Sequence, residues 1–168
     1  GSDEPLIGEE HVQVRVSLPI PPPPDRWVEQ GDAGDTVEGV QGVAAPDQTV
    51  LGSISGTLEE DGIDMFEFEI CDPADFSATT RGGTAFDTQL FLFDTAGFGV
   101  TFNDDSGGVF QSTITGQFVP APGRYILAVS QYNNDARTVT DALIWANQPF
   151  ETERAPDGPG ALSPLHHW

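Results

Sequence analysis

Residues 86–132 constrain the fold more than any other stretch of this chain. Two strongly apolar runs, Asp87-Thr-Gln-Leu-Phe-Leu-Phe-Asp94 and Arg124-Tyr-Ile-Leu-Ala-Val-Ser130, flank an acidic, glycine-rich turn, Asn103-Asp-Asp-Ser-Gly-Gly108. Leu90, Phe91, Leu92 and Phe93 are apolar on both faces of an extended chain, so they belong at the centre of a sheet covered on both sides. The turn places carboxylates at strand ends, where cations bind.

Shorter strands follow the same logic. Phe66, Phe68 and Ile70 alternate with Glu67 and Glu69, which predicts a half-buried strand over 65–70. Further strands are predicted over 50–58, 76–80, 97–102, 112–119 and 139–146, with Gly52 and Gly56 as bulge positions in the first of them. Asp61-Gly62, Asp94 to Gly97 and Pro122-Gly123 supply the turns between. No segment has helical periodicity. The fold class is therefore all-β, an antiparallel β-sandwich with jelly-roll-like character. Residues 25–150 form the sandwich domain. Residues 1–24 precede it as a linker or edge-strand extension, with Val12, Val14 and Val16 alternating before the spacer Pro19-Ile-Pro-Pro-Pro-Pro24. Residues 151–168 read as an irregular tail, because Pro156, Gly158, Pro159, Gly160 and Pro164 oppose regular structure.

A chain of 168 residues buries roughly 70% of its unfolded surface and needs no disulfide. It has one cysteine, Cys71, so an internal disulfide and a multi-cysteine zinc site are both excluded. Cys71 follows an apolar strand and is expected to be a buried small side chain. The formal net charge is −21, from 27 acidic residues against 6 basic ones, and no residue is lysine. Such a balance argues against nucleic acid or an anionic membrane as partner, since both need basic patches. It favours solubility, cation binding or a saline medium. No run approaches the roughly 20 apolar residues of a membrane helix, so no membrane insertion is expected. Gly1-Ser2 resembles a tag-cleavage remnant, which leaves a secretory leader upstream as an expectation.

The ordered elements Ile54-Ser-Gly-Thr-Leu58, Asp61-Gly-Ile-Asp-Met-Phe-Glu-Phe68, Phe86 to Asp94 with Gly97, Asn103-Asp-Asp105 and Pro122-Gly-Arg-Tyr-Ile-Leu-Ala-Val129 resemble the bacterial pre-peptidase C-terminal domain. The match runs roughly from Trp27 to Trp145. The resemblance implies a β-sandwich of a secreted or cell-surface protein, an accessory unit for folding, secretion or binding to matrix. It also implies calcium between an acidic N-terminal segment and a D-x-x-D turn. Asp61 and Asp64 match that turn, and Glu29, Asp32 and Asp35 stand where the acidic segment belongs.

Calcium takes six to eight oxygen ligands, and the loop Glu29-Gln-Gly-Asp-Ala-Gly-Asp35 has the carboxylates and glycines to supply them. The competing reading is that these acids make solvated Asx-type turns. A second candidate cluster is Asp87, Asn103, Asp104 and Asp105, against which stands ordinary hairpin chemistry. Tyr132, Asn133 and Asn134 form a candidate ligand surface; Trp27, Trp145, Tyr125 and Phe98 read as core aromatics more readily than as a sugar platform. Expected partners are extracellular polysaccharide, a protein matrix, or neighbouring domains of a larger protein. Enzyme readings find little support. His11, His166 and His167 lie in the irregular ends, and no nucleophile elbow, zinc-protease helix or phosphate loop occurs. The chain is expected not to be an enzyme. A carbohydrate-binding module and a structural envelope subunit remain as alternatives.

Overall fold

The computed structural model describes residues 25–44, 50–58 and 62–168. Among them are nine strands and no α-helix: β1 Arg26–Val28, β2 Gln41–Gly42, β3 Ser53–Ser55, β4 Ile63–Ile70, β5 Ser77–Thr79, β6 Thr88–Asp94, β7 Gly99–Asn103, β8 Thr113–Thr115 and β9 Gly123–Gln131. The expected edge strand around Val12 to Val16, the proline spacer and Asp61 lie outside the described residues.

The main sheet has the order β2-β4-β9-β6-β7. Strand β9 sits at its centre, antiparallel to β4 from Ile63↔Ser130 to Ile70↔Gly123 and to β6 from Thr88↔Gln131 to Asp94↔Tyr125. The two apolar runs of the sequence are thus neighbours, and β6 is buried on both faces as its composition requires. Two small ribbons, β1-β3 and β5-β8, complete the strand set. Pairing is not wholly antiparallel. Strands β1 and β3 run parallel, as do β2 and β4, because each pair is joined by a long excursion rather than a tight hairpin.

Each face of the main sheet has its own apolar layer. On one, Phe66, Phe68, Ile70, Leu90, Leu92 and Tyr125 pack with Ile114 and Val119, and Trp27, Ile54, Phe76 and Ala78 of the small ribbons cover them. On the other, Met65, Phe91, Phe93, Ile126 and Ala128 meet Ile144, Trp145, Leu165 and Trp168. Among the described residues this second layer has no strands of its own. Gly116 brings β8 against the turn at Pro73 so closely that a β-carbon there would strike the Pro73 carbonyl.

Three expectations need correction. Cys71 is exposed; it lies one residue past the end of β4, on the side that Glu67 and Glu69 show to solvent, rather than with Phe66, Phe68 and Ile70. Residues 139–146 do not form a strand. Val139 is 71% exposed, and a turn closed by Asp141 N–H donating to Thr138 O leaves only single bridges from Arg137 to Leu143 and His167. The strand expected over 112–119 stops at Thr115, where a 3-10 turn, Gly116–Phe118, begins. Residues 151–168 hold no named strand, yet they are stitched to the sheet. Phe102 and Arg154 exchange backbone hydrogen bonds at 3.0 Å, and Leu165 N–H donates to Gly97 O at 2.9 Å.

Candidate functional site

The first acidic group forms where the loop after β1 meets the start of β4. Glu29 Oε1 accepts from Ala33 N–H at 3.0 Å and Oε2 from Thr57 N–H at 2.9 Å. One carboxylate thereby folds the loop on itself and ties it to the exit of β3. Gly56 is required beside it, since a β-carbon would collide with the Glu29 carboxylate. Asp32 Oδ1 accepts from Gly34 N–H at 3.4 Å, an Asx-type turn. Asp64 lies on the Phe66 face of β4 and is only 2% exposed. Glu29, Asp32 and Asp64 each place a carboxylate oxygen within 4.8 Å of the other two. Asp35 does not join them: it is exposed, and its carbonyl accepts the Trp168 indole N–H at 2.7 Å. Asp61 falls outside the described residues.

The second group lies at the same end of the main sheet but across β9 from the first, where β6 begins and β7 ends. Asp87, Asp104 and Asp105 converge within the same 4.8 Å limit. Their backbone is held tightly. Asp87 O accepts from Tyr132 N–H, and Asp105 N–H donates to Phe150 O. Ser112 Oγ donates to Asp104 O at 2.6 Å. Asn103 sits beside them with its side chain engaged in the loop. Its side-chain amide donates to Asp105 O and Phe150 O while its Oδ1 accepts from Thr113 N–H, so it acts as a clamp for the loop.

The carboxylates of this group are poorly compensated. Burial, then the charges of Asp105, Asp87 and Asp135, push the Asp104 carboxyl up to about 7 against the weaker pull of Arg154. Burial and Asp105 raise Asp87; burial and Glu151 raise Asp105. Arg154 spends its guanidinium on the carbonyls of Pro149 and Ala146, on Asp157 at 3.3 Å, and over the Phe102 ring.

Sequence reasoning singled out Tyr132, Asn133 and Asn134 separately, and the fold brings the first two to this same cluster. Tyr132 is 56% exposed, and with Asn133 it lines a recess of about 60 Å³ together with Asp104, Asp135, Trp145 and Phe150. Asn133 holds a left-handed backbone at φ 65°. Asn134 N–H donates to Gln89 Oε1 at 3.2 Å. Of the residues read as core aromatics, Trp145 and Tyr125 are buried, whereas Phe98 is 40% exposed.

Asp135 and Glu151 were missed by that reasoning. Asp135 directly follows a stretch already marked, so proximity was its available signal. Glu151 belongs to the tail, and nothing local connects it with Asp105.

Both groups offer oxygen donors alone. Such sets suit hard cations such as calcium rather than zinc or copper. No protein-family model matches the chain, and no curated protein matches it.

Proposed function

We propose that this chain is a non-catalytic, secreted accessory or adhesion module of a larger extracellular protein, stabilised by calcium. It supports the folding, secretion or matrix binding of that protein. One observation carries the reading: Glu29 and Asp32, from the loop after β1, meet buried Asp64 at the head of β4. That is the junction at which the resemblance to the pre-peptidase C-terminal domain puts calcium. An ion there joins the N-terminal loop to the main sheet and relieves three converging negative charges, which stabilises the folded state by mass action.

The test is sedimentation with insoluble matrices. The domain is mixed with cellulose, chitin, peptidoglycan or fibrous collagen, in calcium and in excess chelator, beside the Asp64→Asn variant. Calcium-dependent pelleting with one matrix, weakened in the variant, supports the reading. Retention in the supernatant with every matrix overturns the adhesion role.

A carbohydrate-binding reading is favoured by a separate observation. Phe86, Phe110, Tyr132 and Phe150 are exposed to 47%, 64%, 56% and 37%. All four adjoin the second acidic group through the backbone: Phe110 O accepts from Thr88 N–H, Phe150 O from Asp105 N–H, and Tyr132 N–H donates to Asp87 O; Phe86 directly precedes Asp87. Aromatic faces of this kind stack on sugar rings. Loss of polysaccharide pelleting in Tyr132→Ala, with thermal stability unchanged, would favour this reading over the first.

A further inference from the structure

The group formed by Asp87, Asp104 and Asp105 is physically unlike an ordinary acidic turn. In an acidic turn the carboxylates point into water, which solvates their charge at little cost. Here Asp104 is 2% exposed, and its Oδ1 is buried without a hydrogen-bond partner among the described residues. Asp87 Oδ1 is likewise buried without one. Leaving an anionic oxygen dry and unpaired costs several kcal/mol unless a cation or a proton compensates it.

Among the described residues no basic side chain pairs with these oxygens. Arg154 is the basic residue whose charge reaches Asp104, yet its hydrogen bonds and ion pair go to Pro149, Ala146 and Asp157. The surrounding charges make the deficit worse. Asp135 adds its field at Asp104 and Glu151 at Asp105. Meanwhile the loop is braced to hold the carboxylates together. Asn103 clamps Asp105 to Phe150, Ser112 holds the Asp104 carbonyl, and Tyr132 N–H holds the Asp87 carbonyl. Two segments, at Asp87 and at Asp104 and Asp105, are thus fixed so that their carboxylate oxygens converge.

We propose that Asp87, Asp104 and Asp105 form a second divalent-cation site, separate from the Glu29–Asp64 junction, with the coordination chemistry of calcium. Three carboxylates give the charge. The adjoining recess of about 60 Å³ beside Asp104 exceeds the 10–15 Å³ or so that one water requires, so it has room for the water ligands that complete a calcium shell. The site links the start of β6, the end of β7 and, through Phe150, the C-terminal segment. This inference does not depend on the function proposed above.

Calorimetric titration with calcium at about pH 7.5 and constant ionic strength tests it, with magnesium as the control for charge screening. The proteins are the wild type, Asp64→Asn, Asp104→Asn and the double variant. The site predicts that Asp64→Asn still binds one calcium per chain and that the double variant binds none. An Asp64→Asn protein that binds no calcium overturns this site while leaving the junction site standing. Binding that persists in the double variant overturns it as well. The half-buried Asp105→Asn provides a variant less exposed to folding defects. In the Asp64→Asn background it should weaken calcium binding about tenfold or more, read by displacement of Tb³⁺ whose emission is sensitised by Trp145 in the same recess. Unchanged affinity in that variant counts against the assignment.

Discussion

Asp104 shows how a single residue changes meaning between the chain and the fold. In the sequence it is one of two adjacent aspartates before a glycine pair, the composition of a solvated turn. In the structure its carboxyl is buried and surrounded by Asp105, Asp87 and Asp135, and is pushed up to about 7. The sign follows from linkage. A carboxyl raised above its unfolded value of 3.8 binds its proton more tightly in the folded state, so it destabilises the fold at high pH. That penalty shrinks as pH falls from about 7 toward 4. In excess chelator, Asp104→Asn should therefore be more stable than the wild type near pH 8, by an upper bound on the order of 4 kcal/mol. The gap should narrow as the pH is lowered to about 5, as read from urea midpoints. A gap independent of pH would mean that Asp104 is not the titrating group. Cys71 is the opposite case: it follows the apolar strand residues Phe66, Phe68 and Ile70, yet the strand ends before it and it faces water.

At the scale of elements, the C-terminal segment replaces a sheet. Trp145 packs edge-on to Phe91 and Phe93 at 5.5 and 5.6 Å, and Trp168 does the same at 5.1 and 6.2 Å. Trp168 also donates its indole N–H to Asp35 O, which ties the chain end to the loop that carries Glu29 and Asp32. Trp168→Ala should cost about 2–3 kcal/mol, below the range for a fully buried tryptophan because this ring is only half-buried. Urea unfolding measures the loss, and an unchanged midpoint would mean that the tail merely rests on the sheet. Strand-by-strand reading anticipated β4 because its apolar residues alternate with glutamates, and β6 and β9 because their apolar runs fill both faces of an extended chain. It could not anticipate this layer. Proline and glycine break any periodicity in the tail, and its apolar residues are too sparse to announce a buried face. The strand wrongly expected over 139–146 rested on the apolar run from Ala142 to Ala146, which packs as part of this irregular layer while Val139 is exposed to solvent.

For the whole molecule, the net charge of −21 opposes compaction, and two convergent acidic groups concentrate that repulsion. Raising sodium chloride from about 0.05 to 0.5 M shortens the screening length to a few ångströms. The melting temperature of the chelated protein should then rise by about 2–4 °C for each 1 kcal/mol of repulsion relieved. Calcium at matched ionic strength should add a further rise that magnesium does not reproduce and that Asp64→Asn reduces. If calcium adds nothing once ionic strength is matched, both acidic groups act only through general repulsion. The sequence by itself determined the all-β class, the place of Leu90 to Phe93 inside a sheet covered on both faces, and the exclusion of an internal disulfide, because apolar patterning and cysteine count are local properties of the chain. Tertiary structure decided which carboxylates meet. Glu29 reaches Asp64, and Asp87 reaches Asp104 and Tyr132, across many intervening residues. Such meetings depend on strand order and register, and on where the tail lies, none of which a single strand's pattern encodes. Burial of Asp104 was decided there too, since desolvation is a property of what packs around a group rather than of the group.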